Sequence, residues 1–141
     1  MTTNEIQKEI VEEFSLFENK NDQYNYIIEL GKSLPKLDDT YKLDTNLIKG
    51  CQSNVWLTTD VEEGKIIFSG DSDAILVKGL VQMLIRVLSG KSPDEIIETD
   101  LFFIKEVGLN QMLSMTRSNG LVSMVKQMKM YALAYKAKLG V

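Results

Sequence analysis

The 141-residue sequence contains no histidine and a single cysteine. The absence of histidine excludes His-assisted serine and cysteine catalysis, and also any zinc site with a histidine ligand. One cysteine forms no disulfide within the chain and supplies too few thiolates for a four-cysteine metal or cluster site. We therefore expect no metal site, and Cys51 is the one thiol available for covalent chemistry.

Excess positive charge and long apolar runs are also absent. The formal net charge is -4, whereas a nucleic-acid-binding protein needs a basic face to displace counterions from phosphates. The most apolar segment, residues 74–88, is interrupted by Lys78 and Arg86 and is shorter than the ~20 residues of a membrane span. Glutamates stand near the N-terminus, where a signal peptide needs a basic start. We expect a cytoplasmic protein that binds neither nucleic acid nor a membrane.

Polar capping residues and apolar stripes predict two N-terminal helices. Thr2 and Glu5 have the spacing of a capping box at the start of the first helix. Asn21 or Asp22 is the expected cap of the second helix, which Pro35 ends. The apolar stripe of the first helix comprises Ile6, Ile10, Phe14 and Phe17.

A polar connection and a β-hairpin follow these helices. Residues 36–50 show no clear period, which predicts a long loop, and long ordered loops are often functional. Residues 55–70 contain two runs of β-branched and aromatic residues joined at residues 62–64, which predicts a hairpin. Because two strands alone make a marginal sheet, a third short strand is expected just before Cys51.

Capping signals also mark helices in the C-terminal half. Their expected starts are Ser72 or Asp73, Ser92, about Leu101, and Thr116 or Ser118. Strands in the middle of the chain with helices before and after them predict an α+β fold. We expect a single domain over residues 1–141, with a small antiparallel β-sheet and helices packed on one face.

Cys51 has two interpretations that the residues alone leave open. A lone cysteine is commonly a small buried hydrophobe. A reactive cysteine needs help, because a free thiol is only roughly 3% thiolate at neutral pH, and Lys49 and Arg117 are the candidate cations. Gly50 permits unusual backbone angles beside the thiol. With no base and no second cysteine, exchange of sulfur with an outside partner fits better than hydrolysis.

Five motifs make the sequence similar to the SufE family of sulfur-acceptor proteins, which serve cysteine desulfurases in iron–sulfur cluster assembly. The resemblance covers about residues 22–134, and its most specific part is "GCQSNVW" followed about twenty residues later by "GDSDA". The motifs, in order, are "YIIELGKSLP", "IKGCQSNVWL", "GDSDAILVKGL", "SPDEI" and "TRSNGL".

The resemblance implies a fold shared with IscU-type scaffolds and a persulfide carried on Cys51. The sulfur would come from a SufS-like cysteine desulfurase, which this acceptance stimulates, and would pass on to an iron–sulfur scaffold. Pyridoxal phosphate belongs to the desulfurase, so no cofactor is expected in this chain. The resemblance also implies a covalent carrier and activator rather than a stand-alone enzyme. Candidate loop and partner-contact residues are Lys49, Gly50, Gln52, Asp73 and Arg117.

Two other functions stay open beside sulfur transfer. One is a scaffold that assembles an iron–sulfur cluster, which a single thiol and no imidazole disfavour. The other is a binding module that regulates a desulfurase by contact alone, with Cys51 inert. If Cys51 carries a persulfide, it should be partly sheltered at rest, because cytosolic thiols would otherwise remove the sulfur by exchange, and its loop must swing out to the partner.

Several other residues have a structural explanation beside the functional one. Asp73 is expected to cap a helix, or to hold the cysteine loop or meet the desulfurase. Arg117 forms either a partner contact or an ordinary surface ion pair. Trp56 is explained by core packing. Met115 stands where family members often have proline, which leaves the start of the last helix and the direction of Arg117 open.

Overall fold

The computed structural model describes residues 1–139 and confirms the α+β fold. Within these residues it has seven α-helices, two 3₁₀ turns and one antiparallel sheet of two strands. None of the described helices combines the length and the apolar character that crossing a membrane requires. The elements are α1 (Thr3–Ser15), α2 (Lys20–Lys32), the 3₁₀ turns Asp39–Tyr41 and Asp44–Asn46, β1 (Val55–Glu62), β2 (Lys65–Ser72), α3 (Ile75–Leu88), α4 (Pro93–Glu98), α5 (Phe103–Val107), α6 (Leu109–Met112) and α7 (Met115–Leu139).

Helix α1 begins as its capping box predicts. The Thr2 hydroxyl accepts the Glu5 backbone N–H, and the Glu5 carboxylate accepts the Thr2 backbone N–H. These two bonds satisfy donors that the first turn of a helix leaves free. Three of the four predicted stripe residues, Ile6, Ile10 and Phe14, are buried, whereas Phe17 lies beyond the end of the helix.

Helix α2 begins earlier than predicted. Asn19 is the cap, and its side-chain oxygen accepts the Asp22 backbone N–H at 2.9 Å, so the prediction of Asn21 or Asp22 as cap is wrong. The helix then packs closely on α3 through two glycines. A Cβ on Gly79 would lie 2.6 Å from Ile27 Cγ2, and one on Gly31 would lie 2.8 Å from the Gly79 nitrogen. The two helix backbones therefore lie almost in contact.

The predicted hairpin is confirmed. Strands β1 and β2 pair in register from Val55 with Ser72 to Glu62 with Lys65. Glu63 and Gly64 form the turn with φ of 53° and 76°, as a two-residue hairpin connection of the favoured twist requires. One face of the hairpin is buried and packs on α3, through side chains that include Val55, Leu57, Ile66 and Phe68.

The third strand predicted before Cys51 is not a strand in the structure. Leu47 and Trp56 form only an isolated bridge, in which the Ile48 N–H donates to the Val55 carbonyl at 2.9 Å. The prediction that Trp56 packs in the core is also wrong. Its side chain lies on the outer face of the hairpin, half-buried, because alternate residues of a strand point to opposite faces.

Two of the predicted helix starts in the C-terminal half are wrong. Helix α3 begins at Ile75, and neither Ser72 nor Asp73 is its cap, because β2 extends through Ser72. Helix α7 begins at Met115, before either predicted start. Ser92 caps α4 as predicted.

The early start of α7 has a local cause. The Ser114 hydroxyl accepts the Arg117 backbone N–H at 3.2 Å, and the Ser114 carbonyl accepts the Ser118 N–H. Met115 is the first helical residue, a position where proline is also well tolerated. Methionine at this position is therefore compatible with a regular start of α7. Farther along, α7 enters the core with Leu121, Met124, Met128 and Ala132.

Candidate functional site

The sole cysteine lies on a short loop with fixed ends. We call residues 49–54 the cysteine loop. Its first end follows Ile48, whose N–H donates to Val55 across the loop. At its second end, the Asn54 N–H donates to the Asp73 carboxylate at 3.1 Å and the Asp73 N–H donates to the Asn54 carbonyl at 3.3 Å. The Ser72 hydroxyl donates to the same carbonyl. Asp73 therefore holds the loop in place instead of capping α3.

Gly50 fits a position that no other residue occupies without strain. Its φ is 93°, a backbone conformation that residues with a side chain rarely adopt. A Cβ at this position would also lie 2.5 Å from the Ser123 hydroxyl oxygen on α7. Glycine thus permits both the turn of the loop and its close contact with α7.

Cys51 lies half-buried between its loop and α7. Its Sγ is 3.6 Å from the carbonyl oxygen of Gly120, to which the thiol donates a weak hydrogen bond. A Cβ on Gly120 would lie 3.6 Å from the same sulfur, an ordinary van der Waals contact, so the sulfur packs directly beside this residue. The burial agrees with the expectation of partial shelter, and it excludes the interpretation of Cys51 as a fully buried hydrophobe.

The electrostatics of Cys51 differ from the expectation. Burial raises the pKa of the Cys51 thiol, and within residues 1–139 neither candidate cation is positioned to offset that effect. Lys49 is exposed. Burial is the only cause of this shift among the described residues, so the assistance expected from Lys49 or Arg117 is not seen there. The thiol at rest is mostly protonated and a weak nucleophile.

A cavity of about 250 Å³ opens beside the thiol. The cysteine loop, α3 and the first three turns of α7 surround it, so the fold brings Cys51, Gln52 and Arg117 together. Lys49 and Asp73 do not line it. Its walls include Cys51, Gln52 and Ser53 of the loop, Val77 and Leu80 of α3, and Ser114, Thr116, Arg117, Gly120 and Met124 near or on α7.

Apart from Arg117, sequence reasoning missed the residues that α7 supplies to the site. Gly120 provides the thiol's acceptor, and Ser123 contacts the loop glycine. A glycine inside a long helical segment is a recognisable signal, because it costs helix stability and so indicates a close contact. Among residues 1–139, no group of three or more His, Cys, Asp and Glu side chains is arranged to hold a metal ion.

Comparisons with known proteins place the chain in a family. The family model described as "SufE: Fe-S metabolism associated domain" matches residues 8–132. An uncharacterized SufE-like protein of Rhizobium meliloti is 39% identical over 126 residues, which cover 86% of this chain and 90% of the relative. An uncharacterized SufE-like protein of Synechocystis is 39% identical over 127 residues, which cover 90% of this chain and 80% of the relative.

A third relative and a solved structure agree with these matches. An uncharacterized SufE-like protein of Rhizobium etli is 43% identical over 126 residues, covering 86% of this chain and 85% of its own. The solution structure of a hypothetical protein from Thermus thermophilus is similar with a TM-score of 0.77 at 21% identity. It covers 94% of this chain and 96% of the other, and this likeness shows the fold alone. By its family match and these relatives, the chain belongs to the SufE family, which is associated with Fe-S metabolism.

Proposed function

We propose that the protein accepts a sulfane sulfur on Cys51 from the persulfide of a cysteine desulfurase and passes it to iron–sulfur cluster assembly. By removing the product, it stimulates the desulfurase. The single observation that carries the proposal is the placement of the only thiol, half-sheltered beside a cavity on a loop with a glycine next to it. It acts as a covalent carrier rather than a stand-alone enzyme.

The transfer needs no net oxidation or reduction. The Cys51 thiol loses its proton to solvent, and the thiolate attacks the outer sulfur of the donor persulfide. A new S–S bond forms at Cys51 while the donor's S–S bond breaks and leaves a donor thiolate. The raised pKa supports a resting state with low reactivity, and leaving the buried position removes the cause of that shift.

The cavity supports the carrier role after the transfer. Its volume of about 250 Å³ exceeds the ~30 Å³ that one water occupies in the liquid, so it has room for one more sulfur atom. A persulfide turned into it would be protected from small thiols, which otherwise remove the outer sulfur by exchange. The loop then has to move outward for each transfer.

The proposed partners are a SufS-like cysteine desulfurase and a downstream iron–sulfur scaffold. Pyridoxal phosphate resides in the desulfurase, and the proposal gives this chain no cofactor of its own. We place the protein in the cytoplasm, where reducing conditions keep a lone thiol free. A role as the scaffold itself is less well supported, because the chain has one cysteine and no histidine for iron ligation.

The mass of the protein tests the proposal. Incubation with a cysteine desulfurase, pyridoxal phosphate and cysteine should add one sulfur atom to the wild-type protein and none to Cys51→Ser. Intact-mass spectrometry under non-reducing conditions measures this directly. Addition of dithiothreitol should remove the extra sulfur, because a dithiol takes it by exchange.

A matched activity assay separates covalent transfer from regulation by contact. Cys51→Ala should bind the desulfurase and fail to stimulate sulfide or alanine production, whereas the wild type stimulates it. If both proteins stimulate equally, the chain is a regulatory binding module. If the wild type gains no sulfur with an active desulfurase, sulfur transfer is wrong.

A further inference from the structure

Four lysines surround a cleft on the outer face of the hairpin, separate from the Cys51 cavity. We call it the lysine cleft, and its volume is about 590 Å³. Lys32 and Lys36 come from the end of α2 and the segment after it, Lys42 comes from the long loop, and Lys78 comes from α3. Three lysines from residues 32–42 and a fourth from α3 thus line one cleft.

Lysines outnumber carboxylates in the lining of the lysine cleft, although the whole chain has a formal net charge of -4. Four lysines and two aspartates line it, and Asp39 beside the cleft also pairs with Lys42 at 3.4 Å. The buried Asp71 lies 3.3 Å from Lys42 Nζ and 3.6 Å from Lys78 Nζ, so it holds those two side chains at the cleft. Within residues 1–139, Lys32 pairs with Glu29 alone, and this pair is weak in water because both side chains are exposed. Lys32 and Lys36 therefore offer charge to a ligand.

An aromatic and an aliphatic side chain add apolar contact area. Trp56 is half-buried on the cleft side of β1, with Lys42 Nζ 5.4 Å from the centre of its ring. Ile75 lines the same cleft and is 55% exposed. Small inorganic anions use charge alone, whereas a peptide segment uses both charge and apolar surface. The mixed lining favours a peptide.

The lysine cleft shares a wall with the cysteine loop. Asp73 lines the cleft and also accepts the Asn54 N–H that holds the end of the loop. Trp56 directly follows Val55, whose carbonyl closes the other side of the loop stem. A protein seated in the cleft would therefore lie next to the loop that carries the thiol.

We propose that the lysine cleft docks an acidic segment of the desulfurase that donates sulfur to Cys51. This inference rests on the proposed sulfur-transfer function and names the charge of the partner's contact. Opposite charges bring partners together faster and set their orientation, and they do so most strongly at low salt. Docking beside the loop stem places the partner within reach of the thiol.

The sole tryptophan makes the lysine cleft directly observable. Titration with hexaglutamate should change Trp56 fluorescence in a saturable and salt-sensitive way, because the acidic peptide draws Lys42 away from the indole ring. The Lys32→Glu/Lys36→Glu double variant should raise the half-saturating concentration about tenfold. The Lys8→Glu/Lys105→Glu control reverses two exposed charges outside the cleft and should bind as the wild type does.

Two results of the titration overturn the proposal. One is an equal response to inorganic phosphate at matched charge concentration, which would make the cleft a small-anion site. The other is unchanged hexaglutamate binding in the Lys32→Glu/Lys36→Glu variant. Circular dichroism confirms that each double variant is folded. Cys51→Ser should bind hexaglutamate normally, so this readout does not depend on sulfur transfer.

The desulfurase assay then links the lysine cleft to sulfur transfer. The Lys32→Glu/Lys36→Glu variant should need about tenfold more protein for half-maximal stimulation, while its sulfur load at saturation stays unchanged. If the concentration dependence is unchanged and Cys51 still gains sulfur, docking in the cleft is wrong and the sulfur-transfer function stands. If wild-type Cys51 gains no sulfur, the sulfur-transfer function fails and the partner named here fails with it.

Discussion

The helical side of the molecule and the cysteine loop are held by interactions of different strength. On the helical side, the Glu13 carboxylate accepts two bonds from the Arg86 guanidinium, at 2.8 and 2.6 Å, and a third from the Tyr26 hydroxyl at 2.6 Å. These residues join α1, α2 and α3. In the cysteine loop, the Cys51 side chain has one sulfur–oxygen contact of 3.6 Å.

The difference separates strongly held side chains from a weakly held one in the same chain. Hydrogen bonds to charged groups contribute about 1.5–3 kcal/mol each, whereas the weak thiol donor contributes less than the ~1 kcal/mol of an ordinary bond. Arg86 holds the pKa of Glu13 below its usual range, and burial with the Glu13 bond raises the pKa of Tyr26 to about 12. We therefore expect the loop to leave α7 at little cost, while the hydrogen bonds at its two ends persist.

Breaking the helical side should have the largest effect. Gly79→Ala would force a Cβ against Ile27, and we expect the free energy of unfolding to fall by about 3 kcal/mol, as in other overpacked cores. Urea denaturation measures the change. Gly120→Ala is the matched helical control, because its Cβ meets only Cys51 Sγ at 3.6 Å. Equal stabilities for the two variants would contradict the close α2–α3 contact.

Removing the charge from the Glu13 network should have an intermediate effect that depends on pH. Glu13→Gln should lower the free energy of unfolding by about 1–2 kcal/mol at pH 7. Because the folded-state pKa of Glu13 is lowered, the stabilisation is present above the ordinary glutamate value of about 4.3 and is lost as pH falls through the folded-state value. Wild type and variant should therefore converge in acid.

Thermal denaturation across pH checks this convergence. Glu29→Gln is the control, because its pair with Lys32 is exposed on both sides and contributes under ~1 kcal/mol. A Glu13→Gln variant that loses the same stability at every pH would show that the ionised carboxylate is not the source of the stabilisation.

Changing the loop should have the smallest effect on stability and a clear effect on reactivity. Gly50→Ala introduces strain at a φ of 93° and a clash with the Ser123 hydroxyl, so the loop should leave α7 at a cost of about 1 kcal/mol. Once exposed, Cys51 should react with iodoacetamide several-fold faster near neutral pH, because its pKa falls toward that of a free thiol.

A second substitution separates the two causes of loop release. Gly50→Ala/Ser123→Ala removes the clashing oxygen and leaves the backbone strain, so part of the slow alkylation should return. The pH profile of the alkylation rate measures the thiol directly. Unchanged alkylation in Gly50→Ala would mean that contact with α7 does not shelter Cys51.

Local signals allowed much of the fold to be predicted from sequence. The Thr2–Glu5 capping box and the hairpin depend on neighbours in the chain, and both predictions are confirmed. The turn, predicted at residues 62–64, consists of Glu63 and Gly64, because Glu62 still pairs with Lys65. The cap of α2 was harder to place, because Asn19, Asn21 and Asp22 are all suitable capping residues within four positions.

The tertiary part of the site gave weaker signals. The contact of Cys51 with Gly120 joins residues 69 positions apart, and a burial that raises a thiol pKa has no local pattern. The outward position of Trp56 follows from strand register, which composition does not reveal. The motif resemblance did identify Cys51 and Arg117, and the structure places both around one cavity.

The fixed stem of the cysteine loop limits how far the thiol can travel. Ile48 is bonded to Val55, and Cys51 is three residues beyond Ile48. A fully stretched chain spans at most ~3.6 Å per residue, so the tether allows Cys51 an excursion of about 10 Å from its anchor. Cys51 would not reach a persulfide buried more than about 10 Å inside a partner protein. The residue that carries that persulfide would itself have to move toward the surface of the partner.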